Sequence, residues 1–226
     1  MKSAPMPSDE PARLNALSAH RLLDTLPEKV YDDITKIASE ICGTPIALLT
    51  LIDENRQWFK SKQGLHIEET PREYSFCAHA IINPDEPFIV PDARYDERFH
   101  DNPLTTGEPH VVFYAGVPVK DTAGHALGTL CVIDNRPREL SEQKLESLKA
   151  LAKLVNAHFE LRITTIDLEE TALKLQKAHA ISTTINKEVQ SLVSSGQVVS
   201  SVHFNELQEA ANALEALLAS SEVSKE

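Results

Sequence analysis

Two apolar stretches separated by a short turn decide the fold: Val-Val-Phe-Tyr-Ala-Gly-Val-Pro-Val (111–119) and Ala-Leu-Gly-Thr-Leu-Cys-Val-Ile-Asp (126–134). Both are rich in the β-branched and aromatic residues that favour strands. The segment Asp-Thr-Ala-Gly (121–124) between them is typical of a hairpin turn. The sequence therefore predicts a β-hairpin here, the last one before the chain changes character.

Upstream of this hairpin the pattern predicts a mixture of helices and strands. Apolar residues at Tyr31, Ile34, Ala38 and Ile41 follow a 3-4-3 spacing, which is typical of one face of a helix. The polar stretch between Pro91 and Pro109 is predicted as a long loop, either a cover for a ligand or a plain surface loop. The predicted helices are Pro11–Leu23, Pro27–Cys42 and Ser75–Ile82, and the predicted strands are Pro45–Ile52, Gln57–Ser61 and Pro87–Val90.

Proline and glycine mark the boundary between two parts of the chain. All 13 prolines lie within residues 5–137, and six of the seven glycines lie within residues 43–128. From Arg138 onward there is no proline and one glycine, Gly196. Because long helices exclude both residue types, the sequence predicts a turn-rich mixed domain followed by a mostly helical segment.

The helical segment has heptad spacing. Ten of its 13 seam positions are apolar, which predicts a coiled coil to about residue 194 that Gly196 interrupts. A second amphipathic helix, about 202–221, either folds back or meets a partner chain. A helix of about 50 residues cannot bury its apolar stripe on a 137-residue domain, so we expect a parallel homodimer. One row of seam positions is Leu154, Leu161, Leu168, Leu175, Ser182 and Val189, and the other is Ala150, Ala157, Thr164, Thr171, Ala178, Ile185 and Leu192.

The composition narrows the possible classes of function. The 226 residues have a net charge of −12, so the chain lacks the positive charge that drives binding to nucleic acid or to an anionic membrane. Its longest apolar stretch, Pro45–Ile52, is far shorter than the roughly 18–20 residues of a membrane span. The N-terminus has no signal-peptide core, and three scattered cysteines make no disulfide framework. We therefore expect a cytoplasmic protein that binds neither nucleic acid nor membrane.

Five motifs follow one another in a specific order within the first 134 residues. They are Leu-Leu-Asp-Thr-Leu-Pro-Glu (22–28), Asp-Glu-Asn-Arg-Gln-Trp-Phe-Lys-Ser (53–61), Glu-Thr-Pro-Arg-Glu-Tyr-Ser-Phe-Cys-Ala-His-Ala-Ile (69–81), Phe-Tyr-Ala-Gly-Val-Pro-Val (113–119) and Leu-Gly-Thr-Leu-Cys-Val-Ile-Asp (127–134). Together they resemble the GAF domain, in particular the bacterial subgroup found ahead of sensor histidine kinases and diguanylate cyclases. The resemblance covers roughly residues 11–162. It implies an α+β fold, with an antiparallel sheet of five or six strands flanked by helices and followed by a long helical C-terminal segment.

This resemblance also implies how the chain is organised and what it does. Residues 1–10 would be a flexible N-terminus, 11–162 a sensory domain and 163–226 a dimerisation and signalling tail. The sensor would bind an unknown small molecule and pass the signal through the helical dimer to a kinase or cyclase partner, in two-component or cyclic di-GMP signalling. Residues 163–226 hold no motif of such an output domain. The sequence leaves open whether the chain is complete or part of a longer one.

The resemblance places a small-molecule pocket between the sheet and the short helix with its following loops. Cys77 and His79 alone make a poor zinc site, because structural zinc takes four ligands. The nine histidines show no catalytic pairing. We therefore expect no metal, no cofactor and no catalytic residue. The candidate ligand-binding residues are Phe76, Cys77, His79, Asp92, Phe99 and Tyr114.

Two alternatives remain open at this point. One is an enzyme similar to the free methionine-(R)-sulfoxide reductases, which share the GAF fold and use a cysteine nucleophile. The segment where that nucleophile would lie, residues 107–114, contains no cysteine, so we expect a protein that is not an enzyme. The other alternative is a ligand-free interaction or dimerisation module, in which the pocket is filled by its own side chains.

Overall fold

The computed structural model describes residues 1–195 and 201–219 of the chain. It divides into two compact units, Met1–Ile163 and Thr164–Glu226. Gly196, the predicted end of the coiled coil, lies outside the described residues, as do positions 220 and 221 of the predicted last helix. No helix in the described part of the chain combines the length and the apolar character that crossing a membrane requires.

The first unit is built on one six-stranded antiparallel sheet. The strands are β1 (Ile46–Ile52), β2 (Arg56–Gln63), β3 (Glu69–Pro71), β4 (Phe88–Val90), β5 (Phe113–Lys120) and β6 (Ala126–Asp134), in the order β3-β2-β1-β6-β5-β4. The helices are α1 (Glu10–Ala19), α2 (Lys29–Cys42), α3 (Phe76–Ala80), α4 (Pro103–Thr106), α5 (Glu142–Ser195) and α6 (Ser201–Ala219). The predicted α+β fold is thus confirmed.

The predicted hairpin of residues 111–119 and 126–134 is formed by β5 and β6, and β6 lies at the centre of the sheet. Every residue of β1 and β6 is buried, because both strands have neighbours on each edge and are covered on both faces. Their continuous apolar character therefore reflects two-sided burial rather than simple alternation. At Gly128 of β6 the backbone of β1 leaves no room for a Cβ atom, which would lie 1.8 Å from the Thr50 carbonyl oxygen.

Some elements differ from the sequence-based prediction. The first helix was expected to run to Leu23 but ends at Ala19, since Arg21 and Asp24 take positive φ angles of 48° and 57° that a helix does not allow. The three-residue strand β3 and the short helix α4 were not predicted. Both are too short to produce a periodic signal, and β3 depends on pairing with β2.

Two hydrophobic cores cover the two faces of the sheet. On one face, which we call the helix side, α1, α2 and the first turns of α5 pack through residues such as Leu17, Tyr31 and Phe159. On the other face, which we call the cap side, α3 and the loops after it pack on the sheet through residues such as Phe76 and Phe99. Adjacent strand residues point to opposite faces. On β2, for example, Trp58 faces the helix side and the next residue, Phe59, faces the cap side.

Residues ahead of α1 follow the surface of the cap side. The Lys2 amide donates to the Arg98 carbonyl at 3.2 Å, and the His79 ring contacts the Lys2 carbonyl through Nε2 at 3.1 Å. Ala4 packs against the cap-side core. In the structure the segment 1–10, which we predict to be flexible, contacts α3 and the loop before α4.

The long helix α5 contains 54 residues. In the first unit its inward positions Leu148, Leu151, Val155 and Phe159 are buried in the helix-side core. The second unit contains the rest of α5 and the helix α6, whose Leu207, Ala211 and Leu214 are half-buried. The apolar spacing after residue 138 predicted both helices.

Candidate functional site

The short helix α3 is held over the sheet by side-chain hydrogen bonds. Ser75 caps its N-terminus, since its Oγ accepts from the Ala78 amide at 2.9 Å. The same hydroxyl donates to the Gln57 side chain on β2, and Gln57 donates to Thr70 Oγ1 at 3.2 Å. These contacts fix α3 to β2 and β3, so that its first residues point into the cap-side core.

The loop after β4 closes the other side of the same core. The segment predicted as a long polar loop contains α4, which Asn102 caps by accepting from the Leu104 amide at 2.8 Å. Asn102 is 1% exposed, and its Nδ2 also donates to the Tyr74 carbonyl at 3.0 Å. Phe99, three residues earlier, is thereby held inside the core at 1% exposure.

Five rings meet between α3, this loop and the sheet. Phe76 and Phe99 are stacked, with centroids 3.9 Å apart and an interplanar angle of 12°. Tyr114 lies 5.4 Å from Phe76, and His79 meets Phe99 edge-on at 4.9 Å. Phe88 lies 5.9 Å from Tyr114 and 6.1 Å from both Phe99 and His79. We call this group the aromatic cluster; it fills the space that the resemblance assigns to a small molecule.

Hydroxyl and thiol groups line the sheet beneath the aromatic cluster. Tyr114 donates its OH to Cys77 Sγ at 3.2 Å and lies 3.5 Å from Thr129 Oγ1. Thr129 lies opposite Thr50 in the β1–β6 ladder, with their Oγ1 atoms 3.1 Å apart. Cys131 Sγ lies 3.8 Å from Cys77 Sγ. Each of these polar groups has a partner, so burial leaves none of them unsatisfied.

Gly116 makes room for this arrangement. A Cβ atom at Gly116 would lie 2.2 Å from the Tyr114 hydroxyl, so the tyrosine ring lies across the space that another residue would occupy. Tyr114 and Gly116 are two positions apart on one strand and therefore share a face. The glycine of the Phe-Tyr-Ala-Gly motif therefore leaves the space in which the Tyr114 side chain extends toward Cys77.

The buried environment changes how these groups ionise. Burial opposes the charged form of Cys77, but hydrogen bonds from Cys131, Thr129, Thr50 and Tyr114 lower its pKa below that of an ordinary thiol. Burial raises the pKa of Tyr114 and of Cys131, and the nearby Cys77 raises both further. Among Cys77, Cys131 and Tyr114, Cys77 is therefore the group whose ionisation these surroundings favour.

The structure brings together five of the six candidate residues and separates one. Phe76, Cys77, Phe99 and Tyr114 are buried neighbours, and His79 lies half-buried at the edge of the aromatic cluster. Burial is the main cause that lowers the pKa of His79. The sixth residue, Asp92, caps the turn Ala93–Tyr95 and pairs with the Arg94 guanidinium at 2.6 Å.

Sequence reasoning missed Phe88 and the polar residues beneath the cluster, Thr50, Thr129 and Cys131. The even spacing of Thr129 and Cys131 on β6 indicates a shared face, but only the strand register puts Thr50 opposite Thr129. In the described part of the chain, no group of three or more His, Cys, Asp or Glu side chains is arranged to hold a metal ion.

A second, charged cluster on the helix side connects the sheet to α5. The Lys60 side chain of β2 is completely buried and its Nζ lies 2.6 Å from Glu28 Oε1. It also donates to Thr25 Oγ1 at 2.7 Å and to the Leu26 carbonyl at 2.9 Å. Glu28 in turn pairs with Arg162 of α5 at 2.8 Å. The Leu-Leu-Asp-Thr-Leu-Pro-Glu motif is therefore the connector between β2 and α5.

Comparisons with known proteins agree on one family. The sequence profile described as the GAF domain matches residues 26–159. The GAF domain of PixJ from Thermosynechococcus elongatus, in its blue-light absorbing form, has a TM-score of 0.52 and 15% identity over 73% of this chain and 96% of its own. A free methionine-R-sulfoxide reductase from Neisseria meningitidis, in complex with its substrate, has a TM-score of 0.50 and 16% identity over 73% of this chain and 99% of its own. At these identities the two structures establish the fold alone.

A curated relative is much more similar in sequence. The cyclic di-GMP phosphodiesterase PA2567 of Pseudomonas aeruginosa is 42% identical over 175 residues, which is 76% of this chain. The chain spans 30% of the length of that protein. The name of this relative places that protein in cyclic di-GMP signalling, and the match supports the expectation of a signalling GAF module for this chain.

The same comparison corrects one expectation. The absence of a recognised catalytic arrangement led us to expect a protein that is not an enzyme, and this is contradicted by a relative of 42% identity that is named as a phosphodiesterase. The catalytic residues of that relative can lie outside the matched region, because the relative is more than three times as long as this region. The six-stranded fold and the match over residues 26–159 show that the chain belongs to the GAF domain family.

Proposed function

We propose that the chain is the regulatory GAF module of a cyclic di-GMP phosphodiesterase. The module would dimerise through α5, and ligand binding at its cap-side site would change the phosphodiesterase activity through this dimer. The 42% identical relative supports the connection with a cyclic di-GMP phosphodiesterase, and the observation that carries the dimer is the heptad row on α5. Its five apolar side chains are between 42% and 64% exposed in the single chain, namely Leu154, Leu161, Leu168, Leu175 and Val189.

The occupant that we propose for this row is a second copy of the chain. In a parallel two-stranded coiled coil each seam residue meets its own counterpart, so an apolar row is complementary to itself. Removing apolar surface from water stabilises such a pair by about 25 cal/mol for each Å² buried. The other row contains small side chains such as Ala157 and Ala178, which allow two helices to approach closely. It also contains Ile185, which is half-buried.

The proposed relay runs from the cap side through the sheet to α5. Phe59 of β2 packs in the cap-side core, and the next residue, Lys60, faces the helix side. Lys60 binds Glu28, and Glu28 binds Arg162 on α5. A change in the packing of the aromatic cluster would move β2 and, through this ion-pair chain, bias the arrangement of the paired helices.

For the cap-side site we propose a small ligand that displaces part of the aromatic cluster. Phe76, Phe99 and Tyr114 are each no more than 3% exposed, so a ligand must separate them to enter. Rings are complementary to a planar or apolar ligand, and the Tyr114 hydroxyl supplies one polar anchor.

Charged substitutions in the heptad row test the dimer. We expect the double substitution Leu168→Asp and Leu175→Asp to raise the dimer dissociation constant by about 100-fold or more, because two carboxylates on each helix would be buried at the seam. Sedimentation velocity at several concentrations measures this change.

Leu173→Asp is the matched control, since Leu173 is 51% exposed on the same helix but outside both seam rows. The control should leave the dimer intact. The proposal would be contradicted if Leu173→Asp weakened the dimer as much as the double substitution does. A wild-type chain that sediments as a monomer would also contradict it.

A further inference from the structure

Two of the three cysteines face each other across the cap-side core. Cys77 lies in the first turn of α3 and Cys131 at the centre of β6, and both are free thiols that are no more than 2% exposed. Their Sγ atoms are 3.8 Å apart. A disulfide bond needs about 2.0 Å between sulfurs, so the side chains would have to close a gap of less than 2 Å.

The surroundings distinguish Cys77 as the more reactive thiol. Tyr114 donates a hydrogen bond to its sulfur at 3.2 Å, which stabilises the thiolate form. The same hydrogen bonds that hold the cluster together lower the pKa of Cys77, whereas that of Cys131 is raised. A thiol whose ionisation is favoured, in contact with a second thiol at 3.8 Å, is the arrangement that thiol oxidation followed by disulfide closure requires.

We propose that Cys77 and Cys131 are a redox-modification site, at which a small hydroperoxide such as hydrogen peroxide converts the two thiols into a reversible disulfide. The inference is independent of the proposed regulatory role. Because both sulfurs are buried, we propose a small neutral oxidant, and hydrogen peroxide is close to water in size.

The chemistry balances with one hydroperoxide. The Cys77 thiolate attacks the terminal peroxide oxygen, and the O–O bond breaks. The departing alkoxide, or hydroxide in the case of hydrogen peroxide, takes up the proton that Cys77 released. It leaves as an alcohol or as water. Cys131 sulfur then attacks the sulfenic sulfur of Cys77, the S–O bond breaks, and hydroxide leaves as water with the Cys131 proton. Two thiols lose two electrons in total, and these reduce the peroxide.

The disulfide would fasten the short helix α3 to the central strand β6. The stacked Phe76 is next to Cys77, and Tyr114 lies against both sulfurs. Oxidation would therefore hold the aromatic cluster closed and oppose any movement of α3 away from the sheet. A thiol reductant would remove this covalent constraint.

Mass spectrometry of the full chain tests this site. We expect hydrogen peroxide to lower the intact mass by two hydrogens and to yield a peptide in which Cys77 is linked to Cys131, reversibly with dithiothreitol. The thermal midpoint should rise by roughly 5–10 °C, because the bond closes a long loop. Cys131→Ala should abolish the linked peptide.

Cys42 provides the control. It is buried on the helix side, and burial raises the pKa of its thiol. Cys42→Ser should oxidise like the wild type, which separates the proposed pair from general oxidation. The proposal would be overturned by oxygen adducts on Cys77 without a linked peptide, by linkage through Cys42, or by linkage that forms only after unfolding in urea.

Discussion

Substituting Gly128 with alanine should cost more than about 4 kcal/mol of unfolding free energy, the range reached only by severe core defects. A Cβ at this position would lie 1.8 Å from the Thr50 carbonyl oxygen and 2.9 Å from the Leu51 Cα. Both contacts are with the backbone of β1, so no side-chain rotation relieves them. The two central strands would have to separate, and urea denaturation measures the loss.

Gly124→Ala is the control for this prediction. Gly124 has a positive φ of 93°, but nothing lies within 4 Å of its virtual Cβ. Its substitution should cost about 1 kcal/mol through backbone strain alone. If the two variants lose equal stability, the close approach of β1 and β6 is not the determinant that we describe.

Glu10→Gln is expected to lower the unfolding free energy by about 3 kcal/mol near neutral pH, because it removes the only negative partner described for two buried cations. Glu10 accepts from Arg13 Nε and Nη2 at 2.7 Å each and also binds Arg72 Nη1. Arg13 and Arg72 are 1% and 7% exposed. Both would lose their carboxylate partner while remaining buried.

The pH dependence of this variant has a definite sign. Burial alone would raise the pKa of Glu10, but the hydrogen bonds and charges of Arg13 and Arg72 lower it from 4.5 to about 2. A carboxyl whose folded pKa is lowered stabilises the fold above its unfolded pKa and loses that contribution as the pH falls through its folded pKa. The stability gap between wild type and Glu10→Gln should therefore narrow between about pH 5 and pH 2.

Glu146→Gln is the matched control, since Glu146 forms an exposed 2.7 Å pair with Lys149. Exposed pairs contribute little, so the unfolding midpoint should not change. A gap between wild type and Glu10→Gln that stays constant with pH would show that the carboxylate charge is not what stabilises this cluster.

Local signals predicted most of the fold. The final hairpin, the helix α2 and the long helix α5 each follow from spacing within one continuous segment. The buried ion cluster of Glu10, Arg13 and Arg72 was not predicted, because it joins α1 to the turn after β3 and only the tertiary structure brings these charges together. The same reason explains why β3 was missed.

The candidate site was predicted in part. Phe76, Cys77, His79, Phe99 and Tyr114 were identified from their motifs and elements, and they do lie together. Asp92 was chosen from a charged loop, yet its carboxylate binds Arg94 two residues away. The contact between Cys77 and Cys131 spans 54 positions and depends on how α3 seats on β6, which no local pattern reveals.

Site-specific cross-linking along α5 tests the central proposal of a parallel dimer most directly. We expect Leu175→Cys to form a covalent dimer of about twice 25.0 kDa upon mild oxidation, since identical seam positions meet in a parallel coiled coil. Leu173→Cys, outside the seam, should cross-link far more slowly, and the unmodified chain should not. Equal cross-linking of the two variants, or none at either position, would contradict the account.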